Sequence, residues 1–288
     1  MKRILILARD ESKAKFQKLQ QFLNATDGLQ VEVASWRELE FSLESLENAT
    51  IKFGNTDLKD YDHILVMSYV DVEADVLSAI ACYCRHWHVK MSDDQFGFLG
   101  GKLYSMWRLW EMGVPVPSTY FGPIAFMKRK LKELGGQGIL KWAHASRGAE
   151  NYLVKSVQEL EEIISAAPDK RWLLQNLIPN HGDWRVVTLG YEPKLFIERT
   201  SGGKDHRNNV SLGGKATLIP KEQVDNKIIE LAKNASLAVK AQIAGVDVIE
   251  NDVTNEYFVL EVNNPPQLAD GSYVKEKAEA IREFIVNS

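Results

Sequence analysis

The sequence predicts a small parallel α/β lobe followed by a larger α+β region, and three observations lead to this fold class. Residues 1 to about 100 alternate short apolar runs with amphipathic runs, which is typical of parallel strands connected by helices. From residue 183 onward, strand patterns dominate and short turns connect most of them. The chain has 288 residues, more than a single core comfortably holds, so two or three lobes around a cleft are expected.

The predicted strands of the first lobe are RILILA, VEVASW and HILVMSYV, and its predicted helices lie near residues 12–24 and 71–84. The opening run is a strand rather than a signal peptide, because its apolar stretch of five residues is followed at once by charge. The run ACYCRHWHVK places two cysteines and two histidines at alternate positions, Cys82, Cys84, His86 and His88. Alternate side chains of a strand lie roughly 6 to 7 Å apart, so these four cannot all reach one zinc ion. A helix end that leads into a strand is the simpler interpretation.

The second region opens with a helix at about 102–112, which Gly113 and Pro115 end. The run GILKWAHASRGAENYLVKS then predicts a strand, a loop and a strand, followed by a helix in VQELEEIISAA and a strand in RWLLQNLIP. The last predicted strands are DWRVVTLG, KLFIERT, KATLIP, GVDVIE and EYFVLEV, with one long helix at 221–243 between the third and the fourth.

Composition excludes several function classes. The formal net charge of -4 argues against a general nucleic-acid binder, because a surface that neutralises phosphates leaves a basic footprint. No run approaches the roughly 20 apolar residues that a membrane-spanning helix needs. We therefore expect a cytoplasmic protein that binds neither nucleic acid nor membranes.

The run EVNNPP near the C-terminus suggests a metal site. Glu261 and Asn263 point to the same face of a strand because successive side chains alternate. Across the loop NDVTN, a register that pairs Glu250 with Glu256 places Asp247 on the same face and diagonal to Glu261. Two carboxylates and an amide oxygen are hard ligands that suit Mg²⁺, or Mn²⁺, completed by phosphates and water. A hairpin end with solvated polar side chains is the alternative.

Several cations could face such phosphates. Lys141 ends an apolar run before a glycine-containing loop, and Lys102 heads a helix after two glycines, although each could be a solvated surface lysine. The run ERTSGGKDHRNNVSLGGKA contains two Gly-Gly pairs and four cationic residues, which are Arg199, Lys204, Arg207 and Lys215. This run predicts an anion-gripping loop, with an exposed hairpin loop as the alternative. No P-loop, dinucleotide-binding glycine motif, nucleophile elbow or zinc-protease motif occurs, so any nucleotide needs another phosphate cradle.

Three ordered motifs carry a resemblance to a known family: GDWRVVTLG, ERTSGGKDHRNNVSLGG and AGVDVIE…LEVNNPP. They resemble ATP-grasp enzymes, most closely the RimK-type ribosomal-protein glutamate ligases and their LysX-type relatives, from roughly Lys102 to Leu268. The first lobe resembles the family's N-terminal domain more loosely. The resemblance implies an ATP-grasp fold with an N-terminal domain at 1–100, a central subdomain at 101–180 and a C-terminal subdomain at 181–288.

The resemblance also implies an activity, a carboxylate–amine ligase that uses ATP and Mg²⁺ and passes through an acyl phosphate. It implies that Lys102 and Lys141 contact the ATP phosphates, that Gln175, Asn176 and Leu177 form the adenine hinge, and that Asp183 reaches the ribose region. It places Arg207, with Asn208 and Asn209, near the transferred phosphoryl group. It implies that magnesium is held by Asp247, Glu261 and Asn263. It makes Arg199 the contact for an acidic substrate. The implied partners are an amino-acid donor and a carboxylate acceptor, which could be a small molecule, a peptide or a protein C-terminus, and a homo-oligomer is left open.

The chain departs from the family pattern in the phosphate loop and at the hinge. Ala145 and Glu150 stand where RimK-type enzymes tend to have glycines, and Asn176 stands where the hinge usually has a glutamate. A Glu150 carboxylate that faces the triphosphate would repel it, so Glu150→Gly is expected to tighten ATP binding. The alternatives to a ligase are an ATP-grasp phosphotransferase and a non-catalytic ATP-binding regulatory protein.

Overall fold

The computed structural model describes residues 1–45, 47–67, 74–94, 101–143, 150–200 and 215–287. Within these ranges the chain forms seven α-helices and four sheets. The helices are α1 (Asp10–Asn24), α2 (Ala74–His86), α3 (Lys102–Glu111), α4 (Ile124–Glu133), α5 (Val157–Ala166), α6 (Asn226–Ala238) and α7 (Val274–Asn287). The predicted combination of a parallel α/β lobe and an α+β region is confirmed.

The N-terminal sheet is parallel, with strand order β2-β1-β6-β7. Its strands are β1 (Lys2–Ala8), β2 (Leu29–Ser35), β6 (His63–Val66) and β7 (Lys90–Ser92). The central strand β1 is buried from Ile4 to Ala8, as a strand covered on both faces by helices must be. A small antiparallel sheet is inserted after β2 and consists of β3 (Leu39–Ser42), β4 (Thr50–Phe53) and β5 (Thr56–Asp57).

Two antiparallel sheets follow. The central sheet has strand order β10-β9-β11-β8 and consists of β8 (Thr119–Tyr120), β9 (Gly138–Trp142), β10 (Asn151–Val154) and β11 (Trp172–Gln175). The C-terminal sheet has strand order β14-β13-β12-β15-β16 and consists of β12 (Gly182–Leu189), β13 (Glu192–Thr200), β14 (Lys215–Ile219), β15 (Ile243–Glu250) and β16 (Tyr257–Asn263). Neighbouring strands of this sheet all pair antiparallel, and residues paired across them lie side by side on one face.

Some predicted elements need correction. The helix predicted at 221–243 is α6, which begins only at Asn226 because the Asp225 side chain accepts the N–H of Lys227 (2.8 Å) and caps the helix there. It ends at Ala238, and Lys240 has a positive φ of 58° that no α-helix accommodates. Helices α4 and α7 and the small β3–β5 sheet are additional to the predicted elements. The cysteine-histidine run is the end of α2 leading toward β7, and no three metal-binding side chains of the described ranges cluster there.

The apolar core connects the first lobe to the C-terminal sheet. One buried cluster combines side chains of β1, α1 and β2 with side chains of β12 and α7, including Ile6, Phe16, Val187 and Ile281. A second cluster packs α3 and α6 on the other face of the C-terminal sheet. The central sheet has a separate cluster with α4 and α5, whose buried members lie between Met127 and Leu174.

Candidate active site

A row of charged side chains crosses four neighbouring strands of the C-terminal sheet. Asp183 and Arg185 lie two residues apart on β12 and therefore share a face. Asp183 pairs across the sheet with Arg199 of β13, and Arg185 pairs with Asp247 of β15. Asp247 in turn pairs with Glu261 of β16. Strand pairing alone thus brings these five charged residues into one row.

The register of the β15–β16 hairpin differs from the predicted one. At its tip, Glu250 lies opposite Tyr257, one residue beyond the predicted partner. The pairing then skips Leu260, so a β-bulge shifts the register by one more residue. As a result Asp247 lies directly opposite Glu261 rather than diagonal to it. The two carboxylates therefore lie closer together than the sequence pattern implies.

Asp247 is held by cations and by an amide. Its Oδ1 lies 2.6 Å from Arg185 Nε and 3.0 Å from Arg199 Nη2. Its Oδ2 accepts hydrogen bonds from Arg185 Nη2 (3.2 Å) and from Asn263 Nδ2 (3.2 Å). The contact with Asn263 joins two of the predicted metal ligands. Because like charges directly opposite on a sheet repel, the guanidinium groups are needed to let Asp247 face Glu261.

Arg185 was not among the predicted site residues. Its signal in the sequence is its position two residues after Asp183 in the same strand. The guanidinium lies over Gly245 of β15, where an added β-carbon would come within 2.7 Å of Arg185 Nη1. Glycine at this position therefore makes room for the contact between Arg185 and Asp247.

Asp183 and Arg199 form a buried pair at the other end of the row. Arg199 Nε donates to Asp183 Oδ1 (2.6 Å), and Arg199 Nη2 donates to Asp183 Oδ2 (2.7 Å). Burial raises the pKa of Asp183 above its ordinary value, while the guanidinium of Arg199 opposes that shift. Burial disfavours the charge on Arg199, but the carboxylates of Asp247 and Asp183 outweigh it and raise its pKa. Arg199 is therefore a permanent cation, with two of its nitrogens already used by carboxylates.

The two predicted phosphate-binding lysines lie near Glu261. Lys102 is the first residue of α3, and its Nζ is 3.5 Å from Glu261 Oε1. Lys141 lies on β9 of the central sheet. Burial, helped by the positive charge of Lys102, lowers the pKa of Lys141 to about 8, and the carboxylates of Glu261 and Asp247 oppose the shift. Lys141 is thus electrostatically coupled to the row, which brings the central sheet and the C-terminal sheet to one site.

The predicted hinge follows the central sheet. The Gln175 side chain is buried and donates from Nε2 to Thr119 Oγ1 (2.8 Å), so it holds the sheet together. The Asn176 N–H donates to the carbonyl of Ser118 (3.2 Å), and Leu177 is half-buried. The side chain of Gln175 is therefore structural, which leaves backbone groups, Leu177 and the Asn176 side chain, whose buried Oδ1 has no partner within the described ranges, for any contact with a base.

Of the predicted residues on the two phosphate-binding loops, the structure describes only Glu150. Arg207, Asn208 and Asn209 lie outside the described residues, as does Ala145. Glu150 is described and has a positive φ of 51°. Its carboxylate pairs with the ammonium group of Lys170, which lies 4.8 Å from the Trp142 ring centroid. This pairing reduces the repulsion that Glu150 would exert on a phosphate.

The donor set fits a hard divalent cation. Within the described ranges no three His, Cys, Asp or Glu side chains form a metal-binding group, so a soft or all-carboxylate site is not what these residues build. Asp247 and Glu261 offer carboxylate oxygens at paired positions, and Asn263 offers an amide oxygen two residues from Glu261. Arg185 and Arg199 orient the carboxylate of Asp247. Such a set suits Mg²⁺, which takes one or two protein carboxylates and completes its shell with phosphate oxygens and water.

Comparisons with known proteins agree with this geometry. A sequence model of the RimK-like ATP-grasp domain family matches residues 125–285. A probable alpha-L-glutamate ligase of Vibrio atlanticus is 25% identical over 297 residues, which cover 98% of this chain and 95% of that protein. The glutamate–LysW ligase ArgX of Sulfurisphaera tokodaii is 24% identical over 221 residues, which cover 74% of this chain and 77% of that protein.

Solved structures support the same fold. The ATP-grasp ligase PsnB complexed with a minimal precursor superposes with a TM-score of 0.73 at 14% identity, covering 99% of this chain and 98% of that one. D-alanyl-alanine synthetase A of Vibrio cholerae superposes with a TM-score of 0.71 at 15% identity, covering 99% and 96%. The ATP-grasp fold implied by the three motifs is therefore confirmed.

Proposed function

This chain belongs to the RimK-like ATP-grasp family and is a carboxylate–amine ligase, and we propose that it joins an amino acid to a carboxylate acceptor while ATP becomes ADP and phosphate. The observation that carries the proposal is the direct pairing of Asp247 with Glu261 beside Lys102 and Lys141. A carboxylate pair that can hold a metal, next to two lysine ammonium groups, is what a bound triphosphate requires.

We assign Asp247, Glu261 and Asn263 as the protein ligands of Mg²⁺ or Mn²⁺. When bound, the metal would neutralise the charge of the phosphate groups. Arg185 keeps Asp247 oriented through a bidentate contact, so the carboxylate needs little reorganisation to serve as a ligand.

We assign the nucleotide contacts as follows. Lys102 and Lys141 bind the phosphates, and Gln175, Asn176 and Leu177 form the adenine hinge through backbone groups. Asp183 contacts the ribose region through the lone pairs that remain after each of its oxygens accepts one hydrogen bond from Arg199.

The proposed reaction has two steps. A carboxylate oxygen of the acceptor attacks the γ-phosphorus of ATP, the bond to the bridging oxygen breaks and ADP leaves, which gives an acyl phosphate. The amine of the second substrate then attacks the acyl carbon, loses a proton, and displaces phosphate to form the amide. We assign Arg207, with Asn208 and Asn209, to the transferred phosphoryl group. Positioning and charge neutralisation supply most of the catalysis in such a site.

Arg199 is the proposed contact for an acidic substrate. Its Nε and Nη2 are held by Asp183 and Asp247, so a substrate carboxylate would meet the remaining edge of the guanidinium or displace one of these partners. The buried pair with Asp183 fixes the plane of the guanidinium, which favours a carboxylate that approaches in that plane.

The amine and the acceptor remain to be identified. Glutamate is the first amino acid to test, because two relatives are named as a glutamate ligase and a glutamate–LysW ligase. The acceptor carboxylate belongs to a small molecule, a peptide or a protein C-terminus. No helix of the described ranges is both long and apolar enough to cross a bilayer, and a cytoplasmic location stays a prediction.

The test uses oxygen labelling. The protein is incubated with ATP, Mg²⁺, glutamate and pools of carboxylic acids and peptides labelled with ¹⁸O in the carboxylate. An acyl-phosphate ligase transfers one ¹⁸O atom to inorganic phosphate and gives a product heavier than the acceptor by the condensed amino acid, both measured by mass spectrometry.

The same experiment separates the alternatives. A phosphotransferase gives a stable phosphorylated product and no labelled inorganic phosphate. A non-catalytic ATP-binding protein consumes no nucleotide with any pool. Either result contradicts the ligase proposal, whereas labelled phosphate together with a condensation product supports it.

A further inference from the structure

A buried aspartate of the first lobe contacts the base of the hairpin that carries the proposed metal ligands. Asp93 directly follows β7, is only 4% exposed, and has a positive φ of 62°. Its Oδ1 accepts hydrogen bonds from the N–H of Gln242 and from the N–H of Ile243 (3.3 Å). Ile243 is the first residue of β15, so Asp93 ties the N-terminal sheet to the start of that strand.

The same carboxylate also meets the other end of the hairpin. Asn264 follows Asn263, the last residue of β16, and its side-chain amide lies beside Asp93. Burial raises the pKa of Asp93 to about 7, and the Asn264 amide and the two backbone N–H groups oppose that shift. Asp93 Oδ2 and the side-chain nitrogen and oxygen of Asn264 have no hydrogen-bond partner within the described ranges, so the two hydrogen bonds of Oδ1 are the contacts that hold the hairpin.

Both contacts are costly to build. Burying a carboxylate away from water is unfavourable unless hydrogen bonds compensate it, and a positive φ adds strain to a residue other than glycine. A backbone N–H at the start of a strand can be satisfied by a neighbouring strand or by water, so stability alone does not call for a buried side-chain oxygen here. The cost is explained if this side-chain oxygen fixes the geometry of what lies further along the hairpin.

We infer that Asp93 is a positioning residue that holds the base of the β15–β16 hairpin and thereby sets the placement of Asp247, Glu261 and Asn263. Asn263 pairs with Gly245, two residues into the strand that Asp93 anchors, so a slip at the base moves the ligands of the two strands relative to each other. This inference rests on the proposed metal site and adds a residue from outside the three family motifs.

The test compares Asp93→Ala with Asp93→Asn, which retains a side-chain oxygen for the two N–H groups. Binding of Mn²⁺ in the presence of ADP is measured by electron paramagnetic resonance, and exchange of the Gln242 and Ile243 amides by hydrogen–deuterium exchange. Asp93→Ala is expected to weaken Mn²⁺ binding by about 10-fold, the lower end of the range for loss of a group that supports metal ligands, because Asp93 contacts no ligand directly, and to accelerate both amides. Asp93→Asn is expected to restore both readouts toward wild type.

Asp94→Ala is the matched control, because Asp94 is the next residue and pairs with Arg85 (3.4 Å) instead of the hairpin. If Asp93→Ala does not fold, Asp93→Gly replaces it, since glycine accepts the positive φ. Faster exchange with wild-type Mn²⁺ affinity would overturn the inference and leave Asp93 a purely structural link. If wild type binds Mn²⁺ no more tightly than Asp247→Asn, the metal site itself fails and the inference fails with it, a pattern distinct from the first.

Discussion

At the scale of single residues, two carboxylates that lie directly opposite on neighbouring strands repel each other. Asp247 and Glu261 coexist because Arg185 and Arg199 contact one of them and Lys102 lies near the other. The two carboxylates differ in one respect that matters for experiments. Asp247 is the anchor of a buried ion network, whereas the side chain of Glu261 is 35% exposed with Lys102 at 3.5 Å.

Replacement of either carboxylate should remove metal-dependent turnover. We expect Glu261→Gln and Asp247→Asn to lower kcat by about 100-fold or more, the range seen when a group that stabilises transition-state charge is lost. Glu261→Gln should keep the wild-type melting temperature, because loss of the like-charge contact with Asp247 offsets loss of the ion pair with Lys102. Asp247→Asn leaves two guanidinium groups short of an anion and should also lower the melting temperature. Steady-state kinetics and thermal unfolding measure both effects. Turnover within a few fold of wild type in both variants would contradict the metal assignment.

The lowered pKa of Lys141 predicts a pH dependence of ATP binding. Lys141 is charged below a pKa of about 8 and neutral above it, so its contact with phosphate is present at lower pH and lost as pH rises through 8. The dissociation constant for ATP, measured by calorimetry without acceptor, should rise by up to about tenfold per pH unit above that value. Lys141→Arg should flatten the profile, because a guanidinium stays charged.

The arginine variant also separates Lys141 from a second lysine. Burial, with the charge of Arg185, lowers the pKa of Lys277 to about 8 as well, but Lys277 donates to the carbonyls of Gln267 and Asp270 on the loop before α7. A pH dependence that persists in Lys141→Arg would assign the titration to another group and refute the prediction.

At the scale of elements, the sequence predicts the hairpin but not its register. Alternation places Glu261 and Asn263 on one face, and both are found there together with Asp247. The bulge at Leu260 has no signature in the run VLEVNN, because any residue can occupy the extra position. The sequence does not predict Arg185 as a site residue for a related reason. The role of a single cation inside an apolar strand depends on its partner across the sheet, and the sequence does not show that partner.

Short elements show the same limit. Strands β3 and β4 are four residues each and half polar, so their pattern does not stand out from a loop. Helix α6 was predicted too long because the run from 221 to 243 stays amphipathic past both ends. The actual ends are set by the Asp225 cap and by the positive φ of Lys240, which are local features of a few atoms.

Glu150, which stands where the family tends to have a glycine, directly precedes β10, and its contacts predict the effect of replacing it. The carbonyl of Glu150 accepts the N–H of Trp142 (3.1 Å), and its carboxylate is already neutralised by Lys170. We therefore expect Glu150→Gln to leave ATP affinity unchanged and to lower the unfolding free energy by about 0.5 to 1 kcal/mol, as for a partly exposed ion pair. Glu150→Gly should also leave ATP affinity unchanged, contrary to the expectation from the sequence, because glycine relieves the strain of about 1 to 2 kcal/mol at positive φ with or without ATP.

Calorimetric ATP titrations at low and high salt test this expectation. Unchanged ATP affinity in both variants fits the structure, and tightening in Glu150→Gly alone that is independent of salt would mean that the backbone at Glu150 changes when ATP binds. Equal tightening in both variants, shrinking with salt, would mean that the carboxylate does face the phosphates.

At the scale of the whole molecule, the cores do not follow the three predicted domains at every point. Helix α3, which begins the predicted central subdomain, packs through Met106 and Leu109 with α6 and the C-terminal sheet. Helix α7 packs on the first lobe, and Lys2 of β1 donates to the carbonyls of Ile285 and Val286 at its end. The domain boundaries at 100 and 180 stay a prediction. The arrangement of the buried clusters allows the number of independently folding units to be tested by thermal unfolding.

The distribution of buried clusters predicts two thermal transitions rather than three. The cluster of the central sheet contains buried side chains from that sheet and its two helices, so it can melt separately. The first lobe and the C-terminal sheet share a cluster and should melt together. Leu140→Ala should lower only the melting temperature of the central-sheet unit, and Ile281→Ala only that of the unit formed by the first lobe and the C-terminal sheet. Each variant should lose about 2 to 5 kcal/mol of unfolding free energy, because both side chains are fully buried.

Differential scanning calorimetry of the two variants beside wild type measures this directly. Since about 1 kcal/mol shifts the melting temperature by about 4–8 °C in a small unit and about 2–4 °C in a larger one, both shifts should be resolved. Val253→Ala is the control, because that side chain is 75% exposed and its loss should move neither transition. A single transition moved equally by Leu140→Ala and Ile281→Ala would show one cooperative unit. Three transitions would show instead that the first lobe unfolds without the C-terminal sheet, despite the cluster that Phe16 and Ile281 share.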